Sequence, residues 1–342
     1  MNIEKLKKIL IENNQPNYRG SQIQKAIYQD GISTFSEISN ISKELRELLE
    51  KELGILAFSI EKVLVSNDKQ SNKALLRLSD GNMIETVLLL ASDREWSVCV
   101  SSQVGCPLNC QFCATGKNGF KRNLTAEEIT VQVLFWRQYL VRNWPENKIS
   151  NIVYMGMGEA FLNWEEIKKS LRDLIDKNMF AFGSRSISVS TAGISEGIEK
   201  MSEEFPQVNL AVSLHFATDE KRNQYMPVNQ KYNLTALKTA LQNYFSKTNR
   251  QVFIEYVMMA GINDSETDAY ALATYLKSIG KRQLLHINLI RYNESGNEFT
   301  ATSGNKMQIF KKYLENNGLS VTIRKSLGTE VQGACGQLAG KA

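Results

Sequence analysis

The residues best placed to do chemistry are Cys106, Cys110 and Cys113, in the run from Gln103 to Gly116. Their C-x3-C-x2-C spacing lets three soft thiolate donors converge on one small inorganic core. A cubane 4Fe–4S cluster has one iron more than this set has cysteines, and no further cysteine follows at ligand spacing. The open iron needs an exogenous partner, and the amino and carboxylate groups of S-adenosylmethionine would fill it.

Other uses of these cysteines fit less well. Tetrahedral zinc wants four Cys or His ligands, and the histidines, His215 and His286, lie far downstream and far apart. Five cysteines in 342 residues, three of them within eight positions, have neither the density nor the spacing of a secreted disulfide scaffold. The tripeptide Phe112-Cys113-Ala114 resembles the form common in radical S-adenosylmethionine enzymes.

Three more residues carry reactive groups. Cys335 sits in a tail of small residues, Gly333 to Gly340. Burial is the ordinary fate of a lone cysteine, but the surrounding glycines argue for a mobile, accessible loop. Cys99 lies just upstream of the three-cysteine run. Glu85 falls inside an apolar strand, where alternation either turns it to water or faces it into a cleft; in a cleft, desolvation would raise its pKa and suit it to proton transfer.

These groups need a frame. After Glu95 the pattern alternates, with strands expected at 96–101, 151–155, 186–190, 208–214, 252–258, 285–290 and 320–323. Helical periodicity falls between them at 125–143, 164–178, 195–203, 234–246, 266–278 and 304–317, the first opened by a Thr125 to Glu128 capping box. Repeated βα units imply a parallel sheet, and about six of them suit a partial (β/α)6 barrel of the α/β class. Chemistry in such a barrel gathers at the C-terminal strand ends. There the sequence places Gly156-Met157-Gly158-Glu159, Ser190-Thr191-Ala192-Gly193, Ser213-Leu214-His215 and Arg291-Tyr292-Asn293. The glycines let backbone approach a ligand, and Glu159 can hold an ammonium group.

Ahead of the barrel, apolar stripes at Ile3, Leu6, Ile9 and Leu10, then Ile23, Ala26 and Ile27, then Ile38, Leu45, Leu48 and Leu49 predict a helical segment. It reads equally as a capping bundle or as a substrate-docking module. Strand-like runs on either side of Asp80-Gly81-Asn82 predict a β-hairpin. The expected organisation is a helical accessory domain over 1–55, a β-hairpin extension over 56–94, a barrel over 95–325 and a C-terminal loop over 326–342. The net charge of +5 permits RNA binding without demanding it. No apolar run approaches the roughly 18 residues of a membrane span, and the charged amphipathic start is unlike a signal peptide. The expectation is a cytoplasmic protein with reduced thiols and no membrane partner.

The combination of Cys106-Pro107-Leu108-Asn109-Cys110-Gln111-Phe112-Cys113-Ala114-Thr115-Gly116 with Gly156-Met157-Gly158-Glu159, Ser213-Leu214-His215 and Ala334-Cys335-Gly336-Gln337-Leu338 resembles the RlmN/Cfr family of radical S-adenosylmethionine RNA methyltransferases. The likeness runs from Tyr18-Arg19 to the tail. It implies that Cys106, Cys110 and Cys113 hold a 4Fe–4S cluster, and that Gly158, Glu159, Ser190, Ser213, Leu214, His215 and Asn293 hold S-adenosylmethionine. It further implies that Cys335 is S-methylated, that Cys99 resolves the product through a transient disulfide, and that Glu85 accepts a proton. Two S-adenosylmethionine molecules are then used per turnover. The implied substrate is an adenine of protein-free or assembling 23S rRNA, with tRNA a further substrate of some members; the implied electron donor is a flavodoxin or ferredoxin, and the enzyme a monomer. RlmN-type members act at carbon 2 and Cfr-type members mainly at carbon 8. Pro107-Leu108-Asn109 and Thr322 to Ser326 look like RlmN, whereas Ala160 stands where RlmN sequences have Pro, as in Cfr; the expectation is carbon 2. Two other classes remain open: a radical enzyme acting on a protein or small molecule, and a non-catalytic iron–sulfur RNA-binding protein.

Overall fold

The computed structural model describes residues 1–294 and 298–340. Three helices, α1 (Ile3–Glu12), α2 (Tyr18–Tyr28) and α3 (Lys43–Glu52), open the chain and bury the expected apolar positions Leu6, Ile9, Ile23, Ile27, Leu45 and Leu49. They dock on the barrel through specific bonds: Gln138 donates to the Ile32 carbonyl at 2.7 Å, Gln29 to the Lys177 carbonyl at 2.7 Å, and the Met1 ammonium pairs with Glu127 at 2.9 Å.

Next come β1 (Phe58–Val65), β2 (Ser71–Leu78), β3 (Met83–Ser92) and β4 (Glu95–Cys99), each antiparallel to the one before. The expected hairpin is therefore β2–β3, and it is continuous with the main sheet through the pairing of β3 with β4. The chain then makes an excursion through β5 (Gln103–Gly105), the cysteine loop with the single turn α4 (Ala114–Lys117), and β6 (Phe120–Asn123), antiparallel to β5. Sequence periodicity did not reveal this short pair, because three or four residues are too few to show a period.

Regular βα alternation follows through α5 (Ala126–Asn143), β7 (Lys148–Tyr154), α6 (Trp164–Ile175), β8 (Ile187–Thr191), α7 (Ser195–Glu204) and β9 (Asn209–Ser213). It continues with α8 (Asp219–Tyr225), α9 (Leu234–Lys247), β10 (Val252–Met258), α10 (Glu266–Ile279), β11 (Leu285–Arg291), α11 (Gly304–Asn316) and β12 (Ser320–Arg324). The sheet order is β1-β2-β3-β4-β7-β8-β9-β10-β11-β12, and from β4 to β12 every neighbour is parallel. Six helical crossovers thus join seven parallel strands, the partial barrel expected. The capping box holds: Glu128 N–H donates to Thr125 Oγ1 at 3.2 Å, and Thr125 N–H to Glu128 Oε2 at 2.9 Å.

Register decides which residues share a face, since opposed residues in a sheet lie on the same side. Glu85 opposes Leu75, Val87 opposes both Lys73 and Cys99, and Cys99 opposes Val153. The same face continues through Ser188 and Ser190, then Ser213, Glu255, Asn288, Thr322 and Arg324. The intervening residues, among them Ile152, Val189, Leu210, Val212, Ile254, Ile287 and Leu289, are fully buried under the helices. One face is thus a polar lumen and the other an apolar core.

Gly105 fixes where the cysteine loop begins. It has φ +74°, and a Cβ there would lie 1.8 Å from the Gly119 carbonyl oxygen, which also accepts the Cys106 N–H at 3.0 Å. Gly105→Ala is expected to lower stability by about 2–3 kcal/mol and to separate β5 from β6. A urea midpoint shifted down, together with reduced iron retention on reconstitution, checks this.

Candidate active site at the barrel mouth

Cys106, Cys110 and Cys113 share one loop over the C-terminal strand ends, each half-buried. Burial pushes the Cys106 thiol up to about 12 and raises Cys110 as well, and the charge of neighbouring thiols adds to both. Thiolates crowded in a dry loop are stable only against a cationic core, which is the condition a bound metal centre meets. Among the described residues no three His, Cys, Asp or Glu side chains converge tightly enough for a single metal ion. Gly116 lets the loop close: its absent Cβ would touch the backbone of Asn109 and Cys110 at 3.0–3.2 Å.

The Gly156-Met157-Gly158-Glu159 loop differs from expectation in what its glycines do. A Cβ on Gly156 would lie 2.6 Å from the Val100 carbonyl, and one on Gly158, at φ +103°, 2.6 Å from Gln103 Cβ. The glycines bring this loop against the segment leading to the cysteines; the close partner is protein. Gln103, which sequence reasoning passed over, ties the two: its Oε1 accepts the Glu159 N–H at 2.9 Å and its amide donates to Asn123 at 2.8 Å.

Glu159 is buried, and its carboxylate accepts from Phe161 N–H at 3.1 Å and Ala192 N–H at 2.7 Å. Burial raises its pKa against those bonds. The Thr191 side chain adds a third hydrogen bond, and a carboxylate, with about four lone-pair sites, has room for one more donor. Ser190 and Ser213 meet across β8 and β9, their hydroxyls 3.1 Å apart. Leu214 is fully buried beside them. His215 sits at φ +56°, and its Nδ1 accepts the Val257 N–H at 3.1 Å while its carbonyl accepts from Asn263 at 2.9 Å. Its ring meets Phe112 edge-on at 5.1 Å, linking the loop after β9 to the cysteine loop. Asn293 donates to the Cys335 carbonyl at 3.3 Å.

The tail departs from the expected mobile loop. Cys335 itself is exposed, but its flanks are pinned. Ala114 N–H donates to the Gly336 carbonyl at 2.8 Å, Thr115 Oγ1 to Leu338 at 2.6 Å, Asn118 to Ala339 at 2.5 Å, and Gln337 to Glu294 at 2.8 Å. Its glycines serve tight turns, with Gly336 at φ +84° and Gly340 at +62°. Lys341 and Ala342 lie outside the described residues.

Cys99 is buried at the end of β4; burial, with the charge of Cys335 added, pushes its thiol up to about 12. The two thiols therefore lie within electrostatic reach of each other. Although Cys335 is exposed as a residue, the protein packed around its thiol desolvates it and raises it, against the pull of Arg324. Glu85 is buried and turned away from water. Its Oε1 pairs with Lys73 at 2.7 Å, and its Oε2 accepts the Ala339 and Gly340 amides at 2.6 and 3.0 Å.

The structure also adds polar groups that no motif marked. Glu255 is buried in the lumen, bonded through Oε1 to Asn288 at 2.8 Å, with Arg324 3.8 Å from its Oε2. Arg222, fully buried, donates to the carbonyls of Ala192, Leu214 and Tyr232 and to Asn229, stitching the loops after β8 and β9. Glu255 could have been suspected as a charge inside an apolar strand, but Arg222 leaves no signal on a short polar helix.

A parallel partial barrel with a three-thiol loop at its mouth defines the class of radical S-adenosylmethionine enzymes. Residues 100–273 match the radical SAM superfamily, and residues 1–55 match the ribosomal RNA large subunit methyltransferase N-terminal domain. A crystal structure of a radical SAM methyltransferase from Sphaerobacter thermophilus superimposes with a TM-score of 0.92 at 35% identity, covering 100% of this chain and 98% of that one. The chain is 40% identical to the ribosomal RNA large subunit methyltransferase Cfr of Clostridium botulinum strain Langeland, over 98% of this chain and 96% of the relative. It is 39% identical to the probable dual-specificity RNA methyltransferase RlmN of Pseudothermotoga lettingae, over 99% and 96%. The chain belongs to the RlmN/Cfr family of radical S-adenosylmethionine RNA methyltransferases. The family implies a 4Fe–4S cluster and S-adenosylmethionine. No helix among the described residues is long and apolar enough to cross a membrane.

Burial, reinforced by the nearby Arg222 charge, holds the His215 imidazole down to about 3 against an ordinary 6.5. The folded state therefore favours the neutral ring. Its contribution to stability is present above pH 6.5 and is lost as pH falls from 6.5 toward 3. Thermal unfolding of His215→Gln is expected to show a smaller acid-induced loss over that interval than the parent.

Proposed function

We propose that this enzyme methylates an adenine of 23S rRNA at carbon 2, acting on protein-free or assembling RNA, with tRNA as a second substrate. The observation that carries the reading is the placement of two non-ligand cysteines, Cys99 and Cys335, within electrostatic reach of each other at the mouth that also holds the three-thiol loop. A ring carbon of adenine is electron-poor and does not attack a sulfonium methyl as an ordinary nucleophile does. A thiolate does, which gives Cys335 its task.

In this reading Cys106, Cys110 and Cys113 hold the cluster. Gly158, Glu159, Ser190, Ser213, Leu214, His215 and Asn293 would hold S-adenosylmethionine, with Glu159 accepting from its ammonium. When bound, the pair supplies the reductive cleavage that activates the methyl carried on Cys335. Glu85 accepts the ring proton from the Cys335-linked base, and the adduct's unpaired electron passes to a one-electron acceptor, which leaves a closed-shell thioether. Cys99 then attacks Sγ of Cys335; the carbon–sulfur electron pair leaves with the carbon, which takes up a proton to become the methyl, and the resulting disulfide is reduced by cellular thiols. Residues 1–55 serve as an RNA-docking module, 56–94 extend the sheet that carries Glu85, 95–325 form the barrel, and 326–342 deliver Cys335.

Carbon 2 is supported by the RlmN-like Pro107-Leu108-Asn109 loop and by Thr322 to Ser326, whose Thr322 and Arg324 line the lumen. A second reading, carbon 8, is favoured by Ala160 and by the Cfr-named relatives. Methyl-labelled S-adenosylmethionine, reduced holoenzyme and protein-free rRNA are expected to give a labelled adenine whose fragmentation assigns the carbon. Carbon-8 label supports the second reading, and absence of label from any RNA overturns both. A target base must be unstacked to expose its edge, so finished 50S subunits are expected to be poor substrates.

The cysteine variants separate the roles. Cys335→Ala is expected to retain iron and yield no methylated RNA. Cys99→Ala is expected to form a covalent protein–RNA species that withstands denaturant and is released by nuclease. Two merely structural cysteines would each cost about 1–2 kcal/mol and leave turnover largely intact.

A further inference from the structure

Lys73 stands on β2 and Glu85 on β3, diagonal neighbours on the lumen face, with Nζ 2.7 Å from Oε1 and side chains only 9% and 2% exposed. An ion pair this deep is a poor device for stability, because desolvating both charges offsets their attraction. An apolar pair would fill the same space. The chemistry of the surroundings is more informative: every group bonded to the Glu85 carboxylate is a donor, the ammonium on one oxygen and the Ala339 and Gly340 amides on the other. This is a site built for a carboxylate anion.

The two sets of donors differ in permanence. Lys73 is fixed in the sheet. Ala339 and Gly340 belong to the strap that carries Cys335, tied to the cysteine loop through Thr115 and Asn118. Any movement of Cys335 toward a base outside the mouth pulls on residues only a few positions away. Once the strap withdraws, Oε2 loses both amides and the carboxylate keeps a single compensating partner.

We propose that Lys73 is the positioning residue for proton abstraction: it holds and aims the Glu85 carboxylate through Oε1, so that Oε2, vacated by the strap, receives the ring proton. The proposal rests on the reading of Glu85 as the proton acceptor. In the step itself the C–H bond at the reacting carbon breaks, its electron pair stays on the base, and the proton forms an O–H bond at Oε2. The strap amides thus keep the acceptor covered until Cys335 has moved.

The test compares reconstituted Lys73→Met, Lys73→Arg and Glu85→Gln with the parent on rRNA, normal and deuterated at the reacting carbon. Lys73→Met is expected to release methylated RNA about 10- to 100-fold more slowly. It should accumulate the protein–RNA adduct and acquire a deuterium isotope effect on product release, while single-turnover 5′-deoxyadenosine formation stays near that of the parent; some loss of melting temperature accompanies any one-sided break of a buried pair. Lys73→Arg, which retains the charge, should recover most of the release rate. Normal release by Lys73→Met alongside adduct accumulation in Glu85→Gln overturns the role of Lys73 and leaves that of Glu85. Full product and no adduct in Glu85→Gln overturns the acceptor reading itself. Parallel loss of melting temperature and 5′-deoxyadenosine in Lys73→Met, without adduct, makes the pair structural and overturns the proposal.

Discussion

Everything in this protein depends on the two-sidedness of its parallel strands. A parallel sheet covered on both faces reads as unbroken apolar runs. Here Ile187-Ser188-Val189-Ser190 and Leu285-His286-Ile287-Asn288 alternate, as does Ser320-Val321-Thr322-Ile323. The apolar members are buried beneath the helices and hold the fold through the hydrophobic effect. The polar members are left facing a lumen, where serine hydroxyls, Glu255, Asn288 and Arg324 are partnered with one another or open to a ligand. Because the barrel does not close, the antiparallel strands β2 and β3 extend the same polar face and add Lys73 and Glu85 beside Cys99 of β4.

Loops at the strand ends are fastened to each other rather than left to solvent. Gln103 joins the cysteine loop to Glu159, Glu159 joins β7 to β8, Arg222 joins the loops after β8 and β9, and Asn263 holds the chain at His215. Each joint satisfies backbone groups that would otherwise be buried without partners, at the cost of burying a polar side chain. Close packing also explains the glycines at 105, 156 and 158, whose missing side chains make room for protein backbone and Gln103. The C-terminal strap completes the arrangement, binding both the cysteine loop and Glu85. The proposed methyl carrier and the proposed proton acceptor are thereby mechanically connected.

Much of this was legible in the sequence. The three-cysteine spacing, the βα alternation and the polar or glycine clusters after successive strands are local signals, and local signals survive without a structure. The helical stripes at Leu6, Ile23 and Leu45 and the capping box at Thr125 belong to the same class, since a few neighbouring residues determine them. Glu85 was visible as an anomaly in an apolar strand, with its surroundings undetermined.

What only the tertiary structure decided involves residues far apart in the chain. Glu85 meets Lys73 across a register set by the whole β2–β3 pairing, and meets Ala339 and Gly340 from the opposite end of the sequence. The tail's glycines suggested mobility because glycine is permissive; in the fold they serve turns that let Thr115 and Asn118 reach its carbonyls. Cys99 and Cys335 come within electrostatic range because the tail returns to Val87, the β3 partner of Cys99. Sequence by itself determined which residues could do chemistry and on which elements they ride, because those depend on short-range pattern. The fold alone determined which of them meet and which are already engaged, because pairing register and loop packing are set by contacts across the whole chain.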